Sequence, residues 1–194
     1  MLNASKYYEK TEVNRSSPLL KKFFMYGYNK KLNGNIAIDL GCGAGNDTVE
    51  LINNGFTVTA IDSEVGVKEI LQRRIPDSEK LNIIINDFSK IELPKADLIT
   101  ANMSLFFVKD NFNIFITNML KSINENGFFV GNFLGKEDDW KESNTTVEKE
   151  KLLEYFKNFD INYFSEEKYY KDTALGKNKF WHVYTIIAQK IQTN

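Results

Sequence analysis

The segment that decides the fold is Asp39-Leu-Gly-Cys-Gly-Ala-Gly45, in which three glycines alternate with two small residues. It begins inside the apolar run Ile36-Ala-Ile-Asp-Leu40, which is typical of a buried strand, and it precedes a predicted helix over 46–54. Glycines at such a junction let the backbone turn sharply and approach a ligand closely. The N-terminus of the following helix offers unpaired N–H groups. The segment therefore predicts a binding site for a nucleotide-like ligand.

Strands and helices alternate along most of the remaining chain, which indicates βαβ units and a parallel sheet. Ser17 followed by Pro18 predicts the start of an N-terminal helix, and Thr145-Thr-Val-Glu148 is a capping box that predicts another. The end of the chain differs, because no helix pattern separates its last two strands. The predicted fold class is α/β: a doubly wound, mostly parallel seven-stranded sheet with helices on both faces and a terminal antiparallel strand pair. The predicted strands are 36–40, 57–61, 81–86, 96–101, 128–134, 161–164 and 180–189, and the main helices are 46–54, 63–74, 111–123 and 145–156.

The composition indicates one domain and excludes several classes of site. The chain has 194 residues with 42% hydrophobic residues, which suits a single domain spanning 1–194. Within it we expect an N-terminal helical cap at 1–34, a cofactor-binding core at 35–134 and a sheet-completing, substrate-side part at 135–194. One Cys and one His argue against disulfides and against the usual metal centres. A net charge of −1, short apolar runs and no secretory signal predict a cytoplasmic monomer or homodimer that binds neither nucleic acid nor membrane.

The acidic residues narrow the expected ligand. The dinucleotide fingerprint G-x-G-x-x-G would require glycine at position 46, where this chain has Asn46. Asp39 would repel a pyrophosphate and attract an ammonium group. Asp62 ends the second predicted strand, where doubly wound folds place a carboxylate that binds ribose. Asp87-Phe88 follows the third strand and could bind and stack on adenine. An ammonium group, a ribose and an adenine together indicate S-adenosylmethionine.

This combination of motifs resembles the class I S-adenosylmethionine-dependent methyltransferases over 36–134 and, in general layout, the small bacterial enzymes of the tellurite-resistance type. The resemblance implies that the glycine segment lines the methionine part of the cofactor, that Asp62 binds the ribose and that Asp87 and Phe88 meet the adenine. It also places the end of the fourth strand beside the sulfonium. The cofactor-binding residues it implies are Asp39, Gly41, Cys42, Gly43, Gly45, Asp62, Ser63, Asp87, Phe88, Ala101, Asn102 and Met103.

The substrate side is less defined by motifs. Arg15 is one of three arginines, and its guanidinium suits an oxyanion, while His182 lies in the last predicted strand as either a sheet residue or a substrate-facing group. These two are the candidate catalytic residues. The predicted pocket residues are Tyr8, Arg15, Ser104, Phe106, Trp140 and His182.

We therefore expect an enzyme that moves a methyl group from S-adenosylmethionine to a small-molecule or oxyanion acceptor by positioned in-line transfer. After the fourth strand the chain reads Asn102-Met-Ser-Leu105, without the prolines of the enzymes that methylate amino groups of DNA bases. Three alternatives stay open. One is a non-catalytic S-adenosylmethionine-binding module, another is a dinucleotide-dependent oxidoreductase, and the third is a methyltransferase with a protein or RNA acceptor.

Overall fold

A seven-stranded sheet forms the centre of the molecule. The computed structural model describes residues 8, 10–12, 16–76 and 78–192. The strands follow the order β3-β2-β1-β4-β5-β7-β6 across the sheet, and β1 to β5 are parallel, whereas β7 runs antiparallel to both of its neighbours. The predicted fold class, including the antiparallel pair at the end, is confirmed. The strands are β1 (Ile36–Leu40), β2 (Thr57–Asp62), β3 (Leu81–Ile85), β4 (Ala96–Ala101), β5 (Ile123–Leu134), β6 (Phe159–Asp172) and β7 (Asn178–Lys190).

Helices cover both faces of this sheet because neighbouring strand residues face opposite sides. On β1, Ala37 packs in a cluster with Leu20 and Leu51, whereas Ile38 packs in a different cluster with Ile116. Both sides are therefore buried, as expected for parallel strands with apolar residues on both faces. The helices are α1 (Pro18–Met25), α2 (Asn46–Asn53), α3 (Val67–Arg74), α4 (Phe112–Ser122) and α5 (Lys149–Tyr155).

The N-terminal helix α1 begins where the sequence predicts. The Ser17 hydroxyl accepts a hydrogen bond from the backbone N–H of Leu20 at 3.2 Å, and Pro18 occupies the first turn. The backbone N–H of Ser17 donates to Asp47 Oδ1 at 2.6 Å, which ties α1 to the first turn of α2. This contact places the start of α1 beside the helix that follows the glycine segment.

Two predicted helix starts are wrong, because neither Ser63 nor Thr145 caps a helix. Ser63 does not cap α3, which begins after Gly66, and Ser63 instead lines a cavity. Thr145 and Glu148 form no capping box, since α5 begins at Lys149 without a side-chain cap. The Thr145 hydroxyl instead donates to the carbonyl of Val108 at 2.5 Å. At Thr145, a tertiary hydrogen bond therefore takes the place of the predicted cap.

Strand β5 begins five residues earlier than the predicted start at Phe128. Ile123 pairs with Ala96, and the register then shifts before Leu98 pairs with Phe128. Asn126 lies in the irregular part of β5 and has a left-handed φ of 63°. Such a conformation is uncommon outside glycine but is tolerated by asparagine.

Candidate functional site

The glycine segment forms a tight turn between β1 and α2. The N–H groups of Gly41 and Cys42 both donate to the carbonyl of Ile61, at 2.8 and 3.1 Å, which anchors the turn to the end of β2. Gly41 has a φ of +69°, and a Cβ there would lie 2.4 Å from the Cβ of Ser104. Gly45 has a φ of +79° and precedes the first turn of α2. A side chain at Gly41 would therefore clash with Ser104.

Asp39 lies buried at the end of β1, opposite Thr100 of β4. Its Oδ2 accepts a hydrogen bond from the Thr48 hydroxyl at 2.6 Å, and its Oδ1 accepts one from the Thr100 hydroxyl at 3.1 Å. Burial raises the pKa of Asp39 to about 7, the nearby Asp47 carboxyl adds to the shift, and the two hydroxyls oppose it. A cationic ligand group beside Asp39 would favour its ionised form.

Asp62, at the end of β2, holds the glycine turn in place. Its Oδ2 accepts a hydrogen bond from the backbone N–H of Gly43 at 2.9 Å, and its Oδ1 accepts one from the N–H of Glu64 at 3.1 Å. The hydroxyl of Tyr8 also donates to Oδ1 at 3.4 Å. Burial and the neighbouring carboxylates raise the pKa of Tyr8, so this phenol stays protonated.

Asp87 and Phe88 follow β3, and both contribute to the cavity wall. Asp87 Oδ1 accepts hydrogen bonds from the backbone N–H and the hydroxyl of Ser89, at 3.0 and 2.6 Å, so this residue caps a short 3₁₀ turn. Partial burial would raise the pKa of Asp87, but these bonds and Lys90 hold it below its usual value. Phe88 packs against Phe115 at a centroid distance of 5.6 Å.

A cavity of about 500 Å³ runs along the carboxyl ends of the parallel strands. This is the edge at which open α/β sheets bind ligands. Eight of the predicted cofactor-binding residues and four of the predicted pocket residues line this cavity. The lining residues are Tyr8, Gly41, Gly43, Asp62, Ser63, Glu64, Asp87, Phe88, Asn102, Met103, Ser104, Phe106, Phe107, Val108, Trp140, Thr173, Ala174, Leu175 and Trp181.

A second cavity of about 410 Å³ lies on the other side of the glycine turn, next to the start of α1. Asp39, Gly41, Cys42 and Gly43 contribute to its wall from the β1 side, together with Asn46 and Asp47 of α2. Burial raises the pKa of the Cys42 thiol well above its usual value, so the thiol is un-ionised. The glycine turn thus faces both cavities, with the buried carboxyl groups of Asp39 and Asp47 in the wall of the second and that of Asp62 in the wall of the first.

Several predicted site residues lie elsewhere. His182 is outside both cavities, because it neighbours Trp181 on β7 and so faces the opposite side of the strand. Its Nε2 lies 3.0 Å from Glu166 Oε1, and its Nδ1 accepts the N–H of Glu137 at 3.2 Å, as in a hydrogen-bonded sheet histidine. Ala101 is fully buried in β4, and Gly45 contributes to neither wall. Arg15 lies outside the described residues.

The sequence reasoning missed the wall contributed by the turn between β6 and β7. Thr173, Ala174, Leu175 and Trp181 reach the cavity only because the two long strands pair in one particular register, with Tyr169 opposite Trp181. No local motif encodes that pairing. Phe107 and Val108 directly follow Phe106, which was predicted to line the pocket, and all three contribute to the wall.

Two properties of the described residues bear on other kinds of function. Nowhere among them do three or more His, Cys, Asp or Glu side chains come together as a metal site would require. In the same part of the chain, none of the helices has the combined length and apolar character of a membrane span.

The chain is similar to known methyltransferases in sequence and in fold. A family model described as a methyltransferase domain matches residues 38–131. The probable ribosomal RNA small subunit methyltransferase A of Methanococcoides burtonii is 34% identical over 68 residues, which cover 35% of this chain and 25% of that protein. The chain therefore matches about a quarter of the length of such curated relatives.

Two solved structures illustrate the likeness in fold. TehB from Haemophilus influenzae gives a TM-score of 0.74 at 17% identity, covering 95% of this chain and 65% of the other. The N-methyltransferase NodS from Bradyrhizobium japonicum, in complex with S-adenosyl-L-homocysteine, gives 0.63 at 14% identity, covering 95% and 98%. The matching methyltransferase domain over 38–131 and the seven-stranded sheet confirm the predicted likeness to the class I S-adenosylmethionine-dependent methyltransferases.

Proposed function

We propose that this protein transfers a methyl group from S-adenosylmethionine to a small molecule, with 1–194 acting as one methyltransferase domain. The observation that carries the proposal is the glycine turn between two buried carboxyl groups, Asp39 on one side and Asp62 on the other. The first carboxyl suits the cofactor's ammonium group, and the second suits its ribose hydroxyls. A Cβ at Gly41 would lie only 2.4 Å from the Cβ of Ser104, so the turn has no room for a side chain there.

The residues of the site would hold the cofactor along the sheet edge. Asp39 and the glycine turn would bind its amino acid part, Asp62 with Ser63 its ribose, and Asp87 with Phe88 its adenine. When bound, S-adenosylmethionine supplies a methyl group that is already activated by its sulfonium. The chain's own task is then to orient the acceptor and exclude water, which can lower a barrier by roughly 7–11 kcal/mol.

The acceptor side of the cavity is suited to orienting a substrate and excluding water. Asn102, Met103 and Ser104 follow β4, and beyond them Phe106 and Trp140 form an aromatic wall. The Ser104 hydroxyl donates to the carbonyl of Leu40 at 2.6 Å, so its proton is engaged. Among the described lining residues on this side, no His, Lys, Arg, Asp or Glu is present to act as a general base. Positioning and desolvation would account for the rate.

A binding measurement tests the cofactor assignment directly. We expect isothermal titration calorimetry to detect S-adenosylhomocysteine binding and no binding of NAD(P). Asp62→Asn should weaken the affinity about 10- to 100-fold, because hydrogen bonds to a charged group contribute roughly 1.5–3 kcal/mol. Asp160→Asn, a change in the exposed carboxyl of β6, serves as the control and should leave the affinity unchanged. Binding of NAD(P) in place of S-adenosylhomocysteine would refute the proposal.

A transfer assay separates an enzyme from a binding module. Labelled S-adenosylmethionine would be offered with neutral heterocycles, amines, thiols, selenite, tellurite and small-subunit ribosomal RNA. We expect label in a small molecule. Tight cofactor binding with no transfer to any acceptor would favour the binding module, and transfer to RNA alone would favour an acceptor like that named for the Methanococcoides relative.

A further inference from the structure

The far end of the large cavity has a surface unlike the end that suits the cofactor. The cavity crosses the sheet edge, so residues after β2 and β3 lie at one end. Residues after β4, from the loop after β5, from the turn between β6 and β7, and from β7 lie at the other end. Its three carboxylates, Asp62, Glu64 and Asp87, all belong to the first end. The second end, here called the aromatic end, consists of Phe106, Phe107, Val108, Trp140, Thr173, Ala174, Leu175 and Trp181.

The rings of the aromatic end contact one another in a continuous series. Phe106 lies 4.5 Å from Phe107 and 5.6 Å from Trp140, measured between ring centroids. Trp140 in turn lies 5.2 Å from Trp181 in an edge-to-face arrangement. Phe107 is 50% exposed and Leu175 is 37% exposed, so apolar surface remains open at the mouth. A ligand that packs flat rings against these side chains would bury that surface.

Two polar groups near this end are already hydrogen-bonded within the protein. The Trp181 indole N–H donates to the carbonyl of Lys171 at 3.0 Å. The Thr173 hydroxyl accepts the N–H of Lys177 at 3.2 Å. Among the lining residues that the structure describes, no basic side chain is available to pair with an anion. An anionic acceptor would lose hydration here without gaining a positively charged partner among these residues.

Among the described residues, Lys179 places a cation against these rings without lining the cavity, which argues against a cationic ligand. Lys179 Nζ is 3.7 Å from the Trp181 ring centroid and 4.0 Å from that of Trp140. Its side chain is almost fully buried and is paired with Asp138. The two indoles therefore already interact with a positive charge, which makes their faces poorer partners for a second cation.

From these contacts we infer that the acceptor is an uncharged aromatic or heteroaromatic small molecule whose ring packs against Trp140 and Phe107. This inference rests on the proposed function and names the substrate class of the same site. It makes the oxyanion acceptors included in the sequence-based expectation poor ligands, since none of the described lining residues would neutralise them.

A matched series of ligands tests the inference by binding alone. Indole, indole-3-carboxylate and tryptamine share one ring and differ in charge, and their dissociation constants would be measured by ligand-observed NMR with and without S-adenosylhomocysteine. We expect indole to bind at least tenfold more tightly than either charged compound. Tighter binding of the carboxylate or the amine, or no binding of indole, would overturn the inference. Failure of S-adenosylhomocysteine to bind would count against the proposed function instead, and indole binding can be measured without it.

Two variants locate the ring on the protein. Phe107→Ala and Trp140→Ala should each weaken indole binding at least fivefold and leave S-adenosylhomocysteine affinity within twofold of the parent. Tyr26→Ala, which removes an exposed ring outside both cavities, is the control. Phe107 is half exposed, so its variant tests the site even if Trp140→Ala is poorly folded. Unchanged indole affinity in Phe107→Ala and in folded Trp140→Ala would contradict the assignment.

Discussion

Lys179 and Asp138 form an ion pair that is almost completely buried, with side chains 2% and 0% exposed. Asp138 Oδ1 also accepts the backbone N–H of Trp140 at 2.9 Å, and Oδ2 accepts the N–H of His182 at 3.0 Å. The pair therefore joins the loop after β5 to strand β7 and fixes Trp140 beside Trp181. The buried pair therefore holds the two tryptophans of the aromatic end in their relative positions.

Breaking this pair should cost much more stability than breaking an exposed one. Lys179→Met leaves the Asp138 carboxylate buried without its cation, and we expect the free energy of unfolding to fall by about 3–5 kcal/mol. Lys149→Met removes a half-exposed partner of Glu166 and should cost about 1 kcal/mol or less. Urea unfolding measures both changes. Similar small losses in the two variants would show that the buried pair is not a structural anchor.

Asp39 should make the protein less stable as the pH rises through the range of its shifted pKa. Burial raises that pKa to about 7, so the folded chain binds the proton more tightly than the unfolded chain does. Between about pH 4 and 7, unfolding therefore releases a proton, and the stabilisation is lost as the pH increases. The loss is at most about 1.4 kcal/mol per pH unit for one group.

The variant Asp39→Asn isolates this contribution from other carboxylates, which titrate in both proteins. The difference in unfolding free energy between variant and parent, measured by urea unfolding, should move in favour of the variant from pH 5 to 7. Asp47→Asn removes the neighbouring charge and should shift the same window to lower pH. A constant difference across this range would mean that Asp39 keeps an ordinary pKa.

The same carboxyl links cofactor binding to proton release. If the ammonium group of S-adenosylhomocysteine binds beside Asp39, the ionised form is favoured and the bound complex should lose a proton at pH 6 to 7. Titration calorimetry in two buffers of different ionisation enthalpy would detect it, and the affinity should rise with pH up to about 7. Asp39→Asn should abolish the proton release. Equal heats in both buffers for the parent protein would contradict this arrangement.

Gly41 and Gly55 provide a matched pair for testing the glycine turn. Both have left-handed backbones, so alanine should cost each about 1–2 kcal/mol of stability. A Cβ at Gly55 meets nothing within 4 Å, whereas one at Gly41 would lie 2.4 Å from Ser104 Cβ. Gly41→Ala should therefore lose a further ~1–3 kcal/mol and weaken S-adenosylhomocysteine binding at least tenfold.

Chemical denaturation and calorimetry on both variants complete this comparison. Gly55→Ala should bind S-adenosylhomocysteine like the parent, since Gly55 contributes to neither cavity wall. If the two variants behave alike in both measurements, the close approach of Ser104 to Gly41 does not matter for the site.

The parts of the fold and of the site that could be predicted are those that a short stretch of sequence determines by itself. A short stretch of sequence is enough to predict the apolar strand β1, the glycines after it, and Asp62 at the end of β2. The structure brings these residues together at one edge of the sheet. The face of β7 was not predictable in this way. A one-residue change in register would exchange Trp181 and His182 between the two sides, so only the pairing with β6 decides which one reaches the cavity.

Tyr8 and Asp62 allow a last prediction about access to the ribose position. The Tyr8 hydroxyl donates to Asp62 Oδ1 at 3.4 Å, and the N–H of Glu64 donates to the same oxygen. A ribose hydroxyl bound there would compete with the phenol, so Tyr8→Phe should raise S-adenosylhomocysteine affinity two- to fivefold. Tyr8→Ala should lower the affinity instead, because it also removes the ring, which lies 3.7 Å from the position that a Cβ on Gly43 would take and lines the cavity beside the glycine turn. Calorimetry on both variants measures the direction of each change in affinity. A loss of affinity in Tyr8→Phe would mean that the phenol assists ribose binding rather than competing with it.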